Sequence, residues 1–210
     1  RFNQFERPYN PGEIDAKAHG ARSRKIGAQA AVLLKNEDEM LPLDPKAYAN
    51  IVIIGQSEFV DDACNGGGGS SKVTPLYTVP PVEGMQNVLK ELGSDSLVSK
   101  VTVSNDLSNL EEAKEAAKKA DMVILMAGLV ASEGFDLPSP NMLNDQNRMI
   151  DELLDINPQT VVVMKSSSPV MMPWISKAKA VLEAWNQGTE DGHVVADLLF
   201  GVVNPSGKVP

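Results

Sequence analysis

The sequence predicts an α/β fold, a three-layer sandwich with a mostly parallel sheet of about five or six strands and helices on both faces. Continuous apolar runs stand where strands are expected, and helical patterns separate them. Unbroken apolar runs, rather than alternating ones, are typical of strands that are covered on both faces. Strands alternating with helices of this length indicate βαβ units, whose crossovers place successive strands in parallel.

The strand prediction depends on five stretches of the chain. The clearest patterns are the β-branched or apolar runs over 50–55, 122–128 and 160–165, and weaker copies cover 100–103 and 180–185. An arrangement of such strands with helices on both sides is flavodoxin-like. A further apolar run over 31–36 is short and is closed by turn residues, so it is not assigned to the sheet.

Helical patterns cover 13–31, 112–120, 145–156 and 189–199. Ser108 and Glu111 form the spacing of a capping box ahead of the second of these helices. His193 is interpreted as a helix-surface residue, and Trp174 as a packing residue.

The chain is predicted to contain a linker-like segment over 1–12 and one domain over 13–210. The segment is rich in proline, asparagine and aromatic residues and has no periodicity. The chain begins without a methionine or a signal-peptide pattern, which is typical of a piece of a longer polypeptide. No apolar stretch approaches the roughly 20 residues that a membrane-spanning helix needs.

Charge and composition narrow the function classes. The 28 acidic and 19 basic residues give a net charge of -9. Such a surface repels phosphate backbones and anionic lipid, so neither nucleic acid nor membrane is an expected partner, and a neutral sugar remains open. A single cysteine and two histidines offer no cluster for structural zinc. We expect neither a metal nor a cofactor.

The glycine-rich tract Gly66–Ser71 resembles a phosphate loop only superficially. A P-loop needs Gly-Lys-Ser/Thr at the start of a helix, whereas Lys72 is followed by Val73 and then Pro75. Two interpretations stay open: a plain surface loop, or a loop whose backbone packs against a ligand or a neighbouring domain, with Gly68 and Ser70 among its candidate binding residues.

Glu133 is the strongest candidate for chemistry. It follows the predicted strand 122–128 within a long loop, together with Asp136. Ligands of open α/β sheets gather at the carboxyl ends of the strands, so these carboxylates are placed for acid/base work. The alternative is that both are solvated loop carboxylates.

Trp185 also follows a predicted strand, where it serves either as a sugar-stacking platform or as a core anchor. The serines at 166–168 lack the Gly-x-Ser-x-Gly elbow of a serine hydrolase.

Several motifs in order resemble the C-terminal α/β sandwich domain of glycoside hydrolase family 3, the β-glucosidase family. They include the apolar run 31–36, the glycine-rich tract with a later Pro-Pro-Val-Glu-Gly, the loop 132–136, the segment 168–174 and the terminal Asn-Pro-Ser-Gly-Lys-Val-Pro. The resemblance covers nearly the whole chain from about residue 20. The loop of this chain differs from the usual Ser-Gly-Glu-Gly pattern because Ser132, not a glycine, directly precedes Glu133.

The resemblance implies a role for this chain as the acid/base-bearing half of a retaining exo-β-glycosidase. The nucleophilic aspartate would come from a TIM-like barrel domain, so the chain alone should be inactive. Glu133 would be the general acid/base, and Asp136, Gly68, Ser70 and Trp185 would border the substrate. The pKa of Glu133 would rise when the cleft closes, and Glu133 would titrate more normally in the isolated domain.

The implied substrate is a β-glucoside or a β-gluco-oligosaccharide, cleaved at its terminal non-reducing β-D-glucosyl residue. The resemblance also favours a secreted or periplasmic location. Two alternatives stay open from the residues themselves: a non-catalytic carbohydrate-binding or scaffolding domain, and a flavodoxin-like nucleotide-binding domain.

Overall fold

A computed structural model describes residues 12–65, 68–129, 131–134 and 136–209, apart from the side chain of Ser71. Almost all of the predicted linker over 1–12 lies outside the described residues, so that boundary stays a prediction. Within the described part, one sheet of six strands has the spatial order β1-β6-β5-β4-β2-β3. The strands are β1 (Val32–Asn36), β2 (Asn50–Gln56), β3 (Leu97–Val103), β4 (Met122–Leu129), β5 (Thr160–Ser166) and β6 (Ala180–Glu183).

The sheet confirms the predicted mostly parallel arrangement. All neighbouring pairs among the strands β2, β3, β4, β5 and β6 are parallel. Only β1 is antiparallel to its neighbour, which is β6. β4 and β5 are buried along their whole length, which explains their unbroken apolar sequences. The run over 31–36 forms the edge strand β1, which the sequence pattern does not predict. Only Val32 in β1 is buried, so this strand lacks the continuous burial of the central strands.

Six α-helices complete the described part of the chain: α1 (Ala16–Ala30), α2 (Ser57–Val60), α3 (Pro81–Glu91), α4 (Leu110–Lys119), α5 (Gln146–Ile156) and α6 (Asp191–Leu199). The predicted capping box is wrong, because α4 begins after Asn109 without a side-chain cap. The Asn109 side chain instead accepts a hydrogen bond from the Ser104 N–H at 2.8 Å. No helix in the described ranges is both long enough and apolar enough to cross a membrane.

The helices form two outer layers, as predicted for a three-layer sandwich. Residues of α1, α3 and α6 share one buried cluster with one face of the sheet, and residues of α4 and α5 share a second cluster with the other face. Trp174 is 1% exposed within the second cluster, which confirms its interpretation as a packing residue.

The carboxyl ends of β2, β4, β5 and β6 meet at one edge of the sheet, because these strands are parallel neighbours. We call this the carboxyl edge. The segments that leave it hold the predicted site residues, in agreement with the rule that ligands of open α/β sheets bind there.

Candidate functional site

Two loop segments contact each other above the carboxyl edge. We call them the rim and define it as residues 68–72 and 131–134. The Glu133 carboxylate accepts a hydrogen bond from the Ser70 N–H at 2.7 Å and another, shorter one from the Ser70 hydroxyl. The Glu133 N–H also donates to the Gly68 carbonyl at 3.4 Å. The rim therefore brings Glu133, Ser70 and Gly68 into contact, while their roles toward a substrate stay predictions.

The glycines of the rim permit this close approach. Gly69 has a φ of +85°, and a Cβ atom added there would lie 2.4 Å from the Cβ of Glu133. A Cβ atom on Gly68 would lie 2.9 Å from the Ser132 hydroxyl oxygen. Residues 68–71 of the tract therefore pack their backbone closely against the Glu133 loop, which is neither a bound ligand nor a neighbouring domain. Gly66 and Gly67 lie outside the described residues.

The Glu133 side chain is exposed and ionised. Its hydrogen bond from the Ser70 hydroxyl, and next the one from the Ser70 N–H, lower the pKa of the Glu133 carboxyl below its ordinary value. In the isolated domain the pKa of Glu133 therefore lies below its ordinary value and is not raised. The two donors of Ser70 are the part of this environment that the sequence did not indicate.

The other two predicted site residues stand apart from this contact. Asp136 is exposed, and within the described residues no hydrogen bond or ion pair joins it to Glu133. Trp185 follows β6 with a φ of 60°, and its indole N–H donates to the Ala30 carbonyl at 3.0 Å. It is half-buried and lines a groove of about 430 Å³ together with Ser167 and Met172. Their roles toward a substrate stay predictions.

Several buried polar side chains lie at the carboxyl edge, and four of them were not identified from the sequence as site residues. We call them the floor: Gln146, Lys165, Glu183 and Asp191. Glu183 is 5% exposed at the end of β6. Its carboxylate accepts hydrogen bonds from the Ser166 hydroxyl at 2.8 Å, the Trp185 N–H at 2.9 Å and the Ser166 N–H at 3.2 Å. Burial raises the pKa of the Glu183 carboxyl despite these donors.

Lys165 and Asp191 form an ion pair with both side chains fully buried and 2.5 Å between nitrogen and oxygen. The Lys165 ammonium also donates to the Phe59 carbonyl at 3.0 Å. The pair thereby connects β5, the start of α6 and α2. A lysine that ends an apolar strand is the sequence signal that could have indicated this contact, since a charge in a buried position requires a partner.

His193 is not the simple surface residue that was expected. Its Nδ1 lies 2.6 Å from the Glu190 carboxylate, which also accepts a hydrogen bond from the Tyr77 hydroxyl at 2.5 Å. That second bond raises the pKa of Tyr77 to about 12. Among residues 12–65, 68–129, 131–134 and 136–209, no group of three His, Cys, Asp or Glu side chains is placed to hold a metal ion.

Comparison with known proteins identifies the class to which this fold and carboxyl edge belong. The model of the glycosyl hydrolase family 3 C-terminal domain matches residues 31–210. A thermostable β-glucosidase B from Acetivibrio thermocellus is 37% identical over 99% of this chain and 28% of its own length. An exo-α-(1→6)-L-arabinopyranosidase from Bifidobacterium longum is 34% identical over 93% of this chain and 27% of its own length.

Solved structures agree. The family 3 β-glucosidase of Bifidobacterium adolescentis superposes with a TM-score of 0.76 at 30% identity, over 94% of this chain and 29% of that one. DesR, a β-glucosidase of Streptomyces venezuelae, shares the fold with a TM-score of 0.84 at 23% identity, over 97% of this chain and 39% of that one.

The chain belongs to glycosyl hydrolase family 3, as its C-terminal domain. The relatives that it matches are named as glycoside hydrolases. It spans less than a third of the length of these two relatives.

Proposed function

We propose that this chain is the acid/base-bearing half of a retaining exo-β-glycosidase of the β-glucosidase type. In this proposal Glu133 is the general acid/base, and a TIM-like barrel domain supplies the nucleophilic aspartate. The substrate is a β-glucoside or β-gluco-oligosaccharide with a terminal non-reducing β-D-glucosyl residue. The observation that carries the proposal is the exposed Glu133 carboxylate, which two donors of Ser70 hold at the carboxyl edge.

The chemistry requires two carboxyl groups on either side of the scissile bond. In a retaining enzyme they lie about 5–5.5 Å apart, one as nucleophile and one as acid and then base. Glu133 is exposed on the rim, so a second domain can bring its own carboxylate to that distance around a sugar. A neutral sugar is also compatible with the chain's net charge of -9.

The ionised state of Glu133 suits one half of this cycle. With a pKa lowered by Ser70, the carboxylate can accept a proton from the water that releases the glycosyl-enzyme intermediate. The first half requires a protonated Glu133, which must protonate the leaving oxygen. We propose that sugar and barrel together exclude water from the rim and displace the Ser70 hydroxyl, so that the pKa of Glu133 rises.

The proposal also specifies which sugar the enzyme prefers. The relative named as an L-arabinopyranosidase is nearly as similar to this chain as the relative named as a β-glucosidase. A substrate panel should therefore include the p-nitrophenyl α-L-arabinopyranoside besides the β-glucoside. We expect the β-glucoside to be hydrolysed faster.

Complementation tests the division between the two domains. The chain is assayed on p-nitrophenyl β-glucoside alone, after mixing with a separately produced family 3 barrel domain, and joined to that barrel in one polypeptide. We expect no turnover by either piece alone and turnover by the combination. Turnover by the chain alone would contradict the proposal, because the chain would then hold a complete active site.

A further inference from the structure

A buried amide holds the strand that leads into the Glu133 loop. β2 pairs with β4 only as far as the partners Gly55 and Met126, whereas β4 continues to Leu129. The Gly128 N–H donates to the Gln146 Oε1 at 3.0 Å, and the Gln146 Nε2 donates to the Gly128 carbonyl at 3.0 Å. Gln146 thus satisfies both backbone groups of Gly128 where β4 has outrun its neighbouring strand.

The same side chain also contacts the other end of the loop. Gln146 is 2% exposed as the first residue of α5, and its Nε2 donates to the Leu143 carbonyl at 3.1 Å as well. Gln56, fully buried at the end of β2, donates to the Asn144 carbonyl at 2.9 Å. The two ends of the segment between Gly128 and Gln146 are therefore held side by side by buried hydrogen bonds of the Gln146 and Gln56 side chains.

We infer that Gln146 is a positioning residue for Glu133, because it closes the base of the loop on which that glutamate stands. Glu133 lies five residues beyond Gly128, and its hydrogen bonds to the opposite rim segment are with Gly68 and Ser70. A fixed base limits where the exposed carboxylate can go, and catalysis depends on placement to within about 1 Å. The catalytic meaning of this inference rests on the proposed function, but its structural content does not.

The test measures the titration of the Glu133 carboxyl in this chain by ¹³C NMR. Gln146→Met keeps the side-chain length but removes the side-chain hydrogen bonds to Gly128 and Leu143, while the backbone hydrogen bond from residue 146 to the Leu143 carbonyl stays. We expect the Glu133 pKa to rise toward the value found in Ser70→Ala, since a released loop base loosens the contact between Ser70 and Glu133. An unchanged Glu133 pKa in folded Gln146→Met would overturn the inference.

Asn157→Leu is the matched control for a merely structural effect. Asn157 is also a buried amide that satisfies backbone groups, the Ala117 carbonyl at 2.8 Å and the Ala120 carbonyl at 2.9 Å, but it lies before β5 at the opposite edge of the sheet. We expect its loss to lower the melting temperature while the Glu133 pKa stays that of the unaltered chain. An equal rise in this control would overturn the inference, since destabilisation alone would then explain the result.

Two further measurements apply if Gln146→Met does not fold. Gln146→Glu keeps an acceptor for the Gly128 N–H, and its carboxyl, which burial keeps protonated, can still donate to one carbonyl, so a smaller rise in the Glu133 pKa is expected. In the unaltered chain, the Gly128 amide should exchange with solvent as slowly as the amides inside β4. Exchange as fast as that of the Glu133 amide would overturn the inference. None of these readouts needs catalysis, so a failure of the proposed function would appear in the activity assays alone.

Discussion

Two glutamates at the same edge of one sheet have opposite environments. Glu133 on the rim is exposed, and donors from Ser70 lower its pKa, whereas Glu183 on the floor is buried, and burial raises its pKa. A perturbed pKa in a cleft is often used to indicate a catalytic group. Both glutamates meet that criterion, and the raised direction that a general acid requires is found at Glu183, although its three described hydrogen bonds all come from Ser166 and Trp185.

The difference separates residues that stabilise the fold from residues that can contact a ligand. The floor consists of buried side chains whose contacts join strand ends to helices, so its loss should cost stability. The rim consists of exposed loop segments that meet through few contacts, which is typical of elements that move or bind. The comparison predicts large stability effects from changes in the floor and, apart from Gln146 at the base of the Glu133 loop, little effect on the Glu133 pKa. Changes in the rim should do the reverse.

The largest effect should follow Lys165→Met. This change leaves Asp191 charged and fully buried without its partner, which typically costs about 3–5 kcal/mol in the free energy of unfolding. Urea denaturation of the two chains measures the difference. Lys177→Met is the control, since Lys177 pairs with Asp151 and Asp155 at the surface and its loss should change little.

The double variant Lys165→Met/Asp191→Leu sharpens this result. Replacing a whole buried pair by apolar residues is often nearly neutral, so the double variant should recover most of the lost stability. A double variant as unstable as Lys165→Met would show that the pair does more than neutralise charge.

Glu183→Ala should have the next largest effect. It leaves the N–H groups of Ser166 and Trp185 and the Ser166 hydroxyl without their described acceptor, which should cost about 2–4 kcal/mol. Glu183→Gln keeps an oxygen acceptor and should lose far less. Thermal melts compare the stability of the two variants. Equal losses of stability would mean that Glu183 does not stabilise the fold through these hydrogen bonds.

The pH dependence of stability gives Glu183 a second test. Because the folded pKa of Glu183 is raised above its ordinary value, its stabilising contribution is complete below the ordinary pKa of 4.5 and is lost as the pH rises through the folded pKa. The unaltered chain should therefore lose stability relative to Glu183→Gln over that window. Unfolding free energies of both chains at a series of pH values measure this, and a difference that grows in the opposite direction would refute the assigned shift.

The smallest stability effect belongs to Ser70→Ala. Removing the hydroxyl should leave the melting temperature nearly unchanged, because the contact is exposed, yet it should raise the Glu133 pKa toward its ordinary value. Titration followed by ¹³C NMR measures the shift. An unchanged pKa would show that the Ser70 hydroxyl does not hold the carboxylate in solution.

Much of this architecture could be predicted from the sequence, because burial on both faces leaves continuous apolar runs such as 122–128 and 160–165. The edge strand β1 could not be predicted in this way, since only Val32 in it is buried. Glu133 could be placed by its position after β4. The Ser70 contact and the floor depend on long-range packing: Lys165 and Asp191 are 26 residues apart, and Ser70 and Glu133 are 63 apart. Local periodicity contains no information about such pairs.

We propose that Glu133 donates and accepts the proton, and Glu133→Ala in the chain joined to a family 3 barrel domain tests this role. We expect a large loss of turnover on glucosides with poor leaving groups and a smaller loss on activated aryl glucosides. Added azide should restore part of the turnover, because it attacks the glycosyl-enzyme intermediate without needing a base. Equal losses on both substrate types without recovery by azide, or full activity, would contradict this role.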